Sequence, residues 1–67
     1  MIENKIQELR TRMGLTQQEL AEALEVTRAT VVALEKGSYN PSLELAFRLS
    51  RFFRTGIETI FKAKEMS

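Results

Sequence analysis

The sequence predicts a compact all-α domain of five short helices, and three observations predict it. Apolar residues recur at helical spacing along nearly the whole chain, turn residues cut that pattern into segments, and no stretch alternates as a half-buried strand would. With 67 residues the chain is expected to be one domain. A domain of about 60 residues buries only about 60% of the surface its unfolded chain exposes, so its core must be tightly patterned.

Ile2, Ile6, Leu9 and Met13 are separated by steps of four, three and four, which puts them on one stripe of a first helix. Gly14 supplies the left-handed stop that glycine tolerates best. The second helix opens on a capping box. Thr16 stands three residues before Glu19, so its hydroxyl meets the Glu19 N–H while the carboxylate reaches back to that of Thr16. Leu20, Ala21 and Leu24 form its buried face, and it ends near Glu25. Thr27 caps a third helix that runs to Lys36 and closes at Gly37, with Val31 and Leu34 turned inward. Residues 38–41 are loop. Ser42 caps a fourth helix whose apolar positions, Leu45, Ala46, Leu49, Phe52 and Phe53, make a stripe wide enough for the centre of a small core. Beyond Thr55 and Gly56, the residues Ile57, Ile60 and Phe61 mark a fifth helix, and the last residues form a charged tail.

Composition narrows the chemistry. There is no cysteine, which excludes a disulfide framework and a thiolate zinc site. Histidine is absent too, and all nine acidic residues are glutamate. An enzyme would lack its commonest nucleophile, base and metal ligand, so neither catalysis nor a metal or cofactor is expected. Ten Lys and Arg face nine Glu, with a pI near 8.1, short of the strongly basic signature of a non-specific nucleic-acid binder. Where the charges sit therefore matters more than their sum. No apolar run approaches the ~20 residues of a membrane span. The charged start, MIENKIQELR, has no signal-peptide core, and a cytoplasmic protein without membrane contact is the expectation.

The second and third helices are both short and are joined by about three residues. Two such helices packed at a steep angle form a helix-turn-helix unit. The stretch Gln17–Lys36, QQELAEALEVTRATVVALEK, resembles the DNA-binding motif of the phage Cro and CI repressors and their Xre-type bacterial relatives. Ala21 stands where the two helices cross closely, and Leu20, Leu24, Val26, Val31 and Leu34 occupy the apolar positions. The resemblance continues through LEKGSYNPSLELAFRLSRFF and IETIF, so it covers nearly all of the chain and is closest to the small stand-alone regulators. It implies a lambda-repressor-like, five-helix DNA-binding domain over residues 1–67, with the helix-turn-helix at about 17–36. Three positions depart from the pattern. Glu25 stands in the turn and Arg54 after the fourth helix, where relatives favour glycine, and Gly56 replaces a usual serine cap on the fifth.

With Val31 and Leu34 inside, the third helix turns Arg28, Ala29, Val32, Ala33 and Lys36 outward as one stripe. An α-helix fits the B-DNA major groove, with the N-terminal part of a recognition helix nearest the bases. Arg28 can donate a bidentate pair to guanine, Thr27 and Thr30 can reach base edges or phosphates, and Ala29, Val32 and Ala33 can pack on thymine methyls. So apolar a face leaves three readings open: thymine methyls are read, Arg28 and DNA shape suffice, or base specificity is weak. The resemblance further implies that Gln17 and Gln18, at the mouth of the second helix, touch the DNA backbone. It implies that Lys36, Ser38, Tyr39 and Asn40 grip phosphates across the groove, and that Arg10 and Glu35 form an ion pair between the first and third helices.

One recognition helix reads only a few base pairs, so a homodimer is expected, with Phe52, Phe53, Ile57, Ile60 and Phe61 as candidate interface residues in a segment of about 52–67. In a chain of this length no separate effector domain is expected. Double-stranded DNA is the expected partner, and a repressor fits better than an activator, because repression needs only occupancy of an operator. The alternative is a protein-interaction module, an antitoxin or coactivator, that docks a partner protein on Ala29, Val32 and Ala33.

Overall fold

The computed structural model describes residues 2–63. Among them the chain forms β1 (Ile2–Asn4), α1 (Ile6–Arg12), α2 (Gln17–Leu24), α3 (Arg28–Lys36), α4 (Leu43–Phe53), α5 (Ile57–Ile60) and β2 (Phe61–Ala63). The five helices carry the fold, as the helical periodicity requires. The candidate dimerisation segment and the charged tail run beyond Ala63, and that part lies outside the described residues.

The two ends of the helical body are joined by a short antiparallel ribbon in which Ile2 pairs with Ala63, Glu3 with Lys62 and Asn4 with Phe61. This corrects two sequence expectations. Ile2 belongs to a strand and not to the first helix, and Phe61 ends the fifth helix and opens β2. Asn4 is the physical reason for the first change. Its Oδ1 accepts the Ile6 N–H at 3.0 Å, and its Nδ2 donates to the Leu34 carbonyl at 2.7 Å. A side chain that satisfies a nearby backbone N–H in this way competes with helix, so α1 starts only at Ile6. The Lys5 N–H donates to the Ile60 carbonyl at 2.9 Å and locks the ribbon to the end of α5. Met13, expected on the inner stripe, is exposed, because α1 ends at Arg12 and Gly14 turns the chain at φ 75°.

The other helices begin and end on local chemistry. The Thr16–Glu19 capping box is formed in both directions, with the Glu19 N–H on Thr16 Oγ1 at 3.0 Å and the Thr16 N–H on Glu19 Oε1 at 2.8 Å. Thr27 and Ser42 cap α3 and α4 by accepting the Thr30 and Leu45 N–H groups, each at 3.2 Å. Gly37 closes α3 at φ 79°.

The core sits where all five helices meet. Ile6, Leu20, Ala21, Leu24, Val31, Leu34, Leu45, Leu49 and Ile60 are buried there. Leu9, Val26, Phe52, Phe53 and Phe61 close its edges, with the Phe52 and Phe53 rings edge-on at 5.2 Å. Ala21 is fully buried, and a side chain ending at Cβ at that point lets α2 and α3 pack closely.

Glu25 and Arg54 adopt left-handed backbone at φ 62° and 53°. Both are helix C-caps. The conformation costs a side-chain-bearing residue roughly 1–2 kcal/mol, a cost glycine avoids. Glu25→Gly and Arg54→Gly are therefore each expected to raise the stability of the folded chain by about 1 kcal/mol. Urea unfolding measures the change, and a fall in midpoint for both variants would contradict the account.

Candidate nucleic-acid interface

The surface of α3 follows from what the helix buries. Val31 and Leu34 are fully buried and mark the inner side of the helix, so the side chains on the opposite side face solvent. Arg28, Ala29 and Lys36 are exposed, while Val32 and Ala33 are half-buried. The outward stripe is thus open and cationic at its two ends and partly covered in the middle. At the start of α3 the Thr27 and Thr30 hydroxyls lie 3.0 Å apart and hydrogen-bond to each other. Thr27 is exposed and Thr30 half-buried, with the cap fixing both relative to Arg28.

Beyond the other end of α3, Ser38, Tyr39 and Asn40 are all exposed. Ser38 is held close to the helix, donating to the Ala33 carbonyl from its N–H at 3.1 Å and from its Oγ at 3.3 Å. Lys36, in the last turn of α3, stands beside this loop and favours the negative end of the helix dipole.

At the mouth of α2 the capping box occupies the Glu19 N–H, while the first-turn N–H groups of Gln17 and Gln18 have no intrahelical acceptor. A helix mouth of this kind suits an anion. The two glutamine side chains differ. Gln18 is exposed and its Nε2 donates to Glu22 Oε2 at 3.2 Å along the helix surface. Gln17 is half-buried and its Nε2 donates at 3.0 Å to Oε1 of Glu35.

Glu35 is itself held by Arg10. The guanidinium Nε donates to Glu35 Oε2 at 2.6 Å and Nη2 to Oε1 at 3.3 Å, a bidentate geometry. Arg10 Nη1 donates in addition to the Leu15 carbonyl at 2.8 Å. The two side chains are 11% and 5% exposed. One interaction thus ties α1, the α1–α2 turn, the first residue of α2 and the last turn of α3 together.

Some contacts around the site lie beyond the sequence reading. Arg48 on α4 donates to the Leu24 carbonyl at 3.0 Å and to Glu44 Oε2 at 2.9 Å, with Glu25 Oε1 at 4.0 Å. It therefore caps α2 at the turn into α3. The Glu44–Arg48 spacing of four was a readable signal for the ion pair, but the contact with Leu24 requires the fold. Leu43 and Phe47, at 71% and 50% exposure, form an apolar pair on the outer side of α4. Their i, i+4 spacing off the core stripe was also readable. Ile60, by contrast, is only 1% exposed and belongs to the core, which removes it from any interface between chains. Phe52, Phe53, Ile57 and Phe61 are half-buried, with the three phenylalanines packed on the core. A surface groove of about 430 Å³ runs along the ribbon between Asn4, Lys5, Glu58, Thr59, Ile60 and Lys62, away from α2 and α3.

Comparison with known proteins matches this architecture. A family described as "Helix-turn-helix" matches residues 6–60. An uncharacterized HTH-type transcriptional regulator of Methanothermobacter thermautotrophicus is 58% identical over 57 residues, covering 84% of this chain and 83% of the relative. The HTH-type transcriptional activator BcrR of Enterococcus faecalis is 37% identical over 62 residues, covering 92% of this chain and 30% of the relative. The cryptic phage CTXphi transcriptional repressor RstR of Vibrio cholerae is 34% identical over 65 residues, covering 97% of this chain and 59% of the relative.

The buried ion pair makes a direct stability prediction. Arg10→Ala or Glu35→Ala leaves a charge without its partner, at an expected cost of about 3–5 kcal/mol each. Replacing both side chains costs much less than the sum of the two. Urea unfolding of the four proteins measures the coupling, and additive losses would contradict it.

Proposed function

This chain belongs to the helix-turn-helix family, in its Cro/CI (Xre) type, and we propose that it is a sequence-specific repressor that binds a palindromic operator as a cytoplasmic homodimer. DNA-binding regulation of transcription is the activity of that family, which is not one of enzymes. Among the described residues no helix is long and apolar enough to cross a membrane.

The single observation that carries the proposal is the outward presentation of α3. Arg28 stands exposed in its first turn, where a recognition helix meets base edges, and its inner face is anchored by Val31 and Leu34. Arg28 is the base-reading residue best suited to discrimination, through guanine O6 and N7. Ala29, Val32, Ala33 and Thr30 shape the remainder of the reading surface. Gln17, Gln18, Thr27, Lys36, Ser38, Tyr39 and Asn40 fix register on the phosphates.

Repression is the simpler of the two regulatory signs, because it requires only that the operator be occupied. A relative named as a repressor supports it, while another is named as an activator. The homodimer follows from the small reach of one recognition helix, with half-sites about 34 Å apart. Leu43 and Phe47, exposed together on the outer side of α4, are added to Ile57 and the half-buried Phe52, Phe53 and Phe61 as candidate residues, since large exposed apolar side chains on one helix face favour association.

Selection of bound sequences from random duplexes tests the proposal. The account expects an enriched palindrome, and a loss of roughly 5- to 150-fold in affinity for Arg28→Ala with relaxed preference at one position per half-site. Affinity should fall steeply with salt, in proportion to the phosphates neutralised. Enrichment of no sequence, or salt-independent binding, would contradict it. Sedimentation should show a dimer that Phe47→Glu weakens. A monomer at high micromolar concentration, both free and on DNA, would refute the dimer.

A further inference from the structure

We propose that Glu35 is a positioning residue for DNA contact, and that it acts by holding the side-chain amide of Gln17 in one orientation at the mouth of α2. The inference rests on the DNA-binding reading above and deepens it. Three observations carry it. Glu35 is almost wholly buried and bonded through both carboxylate oxygens to Arg10. Arg10 is fixed in turn by the Leu15 carbonyl, so the carboxylate is anchored on its far side and cannot follow a moving partner. Gln17 is the third group on this carboxylate, at 3.0 Å from Oε1.

The chemistry of the pair decides the orientation. An ionised carboxylate only accepts hydrogen bonds, so the amide can meet it with Nε2 and never with Oε1. The Gln17 oxygen and its second N–H are then the groups left for an outside partner. A glutamine side chain in water samples many rotamers, and ordering it on binding costs affinity. Here one hydrogen bond to a fixed carboxylate restricts the side chain before DNA arrives. The arrangement also places a carboxylate near the phosphate-facing end of a helix without an uncompensated negative charge, because Arg10 neutralises it. Gln18 is an internal contrast. Its only side-chain partner among the described residues is exposed Glu22, so nothing buried holds its amide in place.

Glu35 therefore has two separable roles, a structural one through Arg10 and a positioning one through Gln17. A double-mutant cycle read on DNA affinity separates them, using the full chain and the duplex selected above. Gln17→Ala and Glu35→Gln should each weaken binding by roughly 2- to 12-fold, the worth of an ordinary hydrogen bond, and the double variant should be no weaker than the weaker single. In the free protein, the Gln17 amide protons should be protected and well resolved, and in Glu35→Gln they should move to the position of those of exposed Gln18. Should Glu35→Gln fail to fold, Arg10→Lys, which loosens the grip on the carboxylate, enters the same cycle. Losses that multiply in the double variant, a wild-type Gln17 amide that averages like that of Gln18, or full affinity in Gln17→Ala would each overturn the positioning role. Those results leave the regulator reading intact as long as Arg28→Ala still relaxes the selected sequence. Failure of the wild-type chain to enrich any duplex overturns both.

Discussion

The burial of Val31 and Leu34 is the constraint on which the rest of the structure depends. They lie three residues apart on a helix of nine, so once both are in the core the direction of every other side chain on α3 is set. No further device is needed to present Arg28 and Lys36 to solvent. Ala21 completes the constraint, because its short side chain lets α2 lie close across α3 and keeps the connecting turn tight. A hydrophobic core that would be unremarked in any small bundle thus doubles as the mount of the proposed reading surface.

Polar contacts then fix the ends of what the core orients. Asn4 holds the Leu34 carbonyl at the C-terminal side of α3, and the ribbon pins Asn4 to the end of α5. Arg10 and Glu35 tie α1 to the same last turn. Arg48 caps α2 from α4 at the start of the turn. In a chain this small the apolar core is limited, and side-chain-to-backbone bonds from three different elements compensate by removing the freedom of α2 and α3 to shift. The left-handed residues Glu25 and Arg54 are strained in that setting, and persist because the helices on either side are held.

Much of the fold was legible in the sequence because it is encoded locally. Thr16, Thr27 and Ser42 each announce a helix that starts at the next residue, and the spacing of Leu45, Ala46, Leu49, Phe52 and Phe53 announces an inner face. The ribbon was not legible, since three-residue strands show no measurable alternation and their pairing joins residues about 60 positions apart. Asn4 was a readable stop inside the periodic run of Ile2, Ile6, Leu9 and Met13. Ile60 illustrates the limit for surfaces: spacing identifies an apolar residue but does not say whether the core or a second chain covers it. The outward set on α3 followed from periodicity, whereas the shading of Val32 and Ala33 and the bond between Gln17 and Glu35 depend on how neighbouring elements pack.

The central claim, that the exposed side of α3 and the mouth of α2 form the surface that meets DNA, is tested most directly by backbone amide spectra of labelled protein titrated with its selected duplex. The account predicts that the largest shifts fall on Arg28 to Lys36, on Gln17 and Gln18, and on Ser38 to Asn40. Shifts confined to α4, α5 and the ribbon, with α3 unmoved, would contradict it.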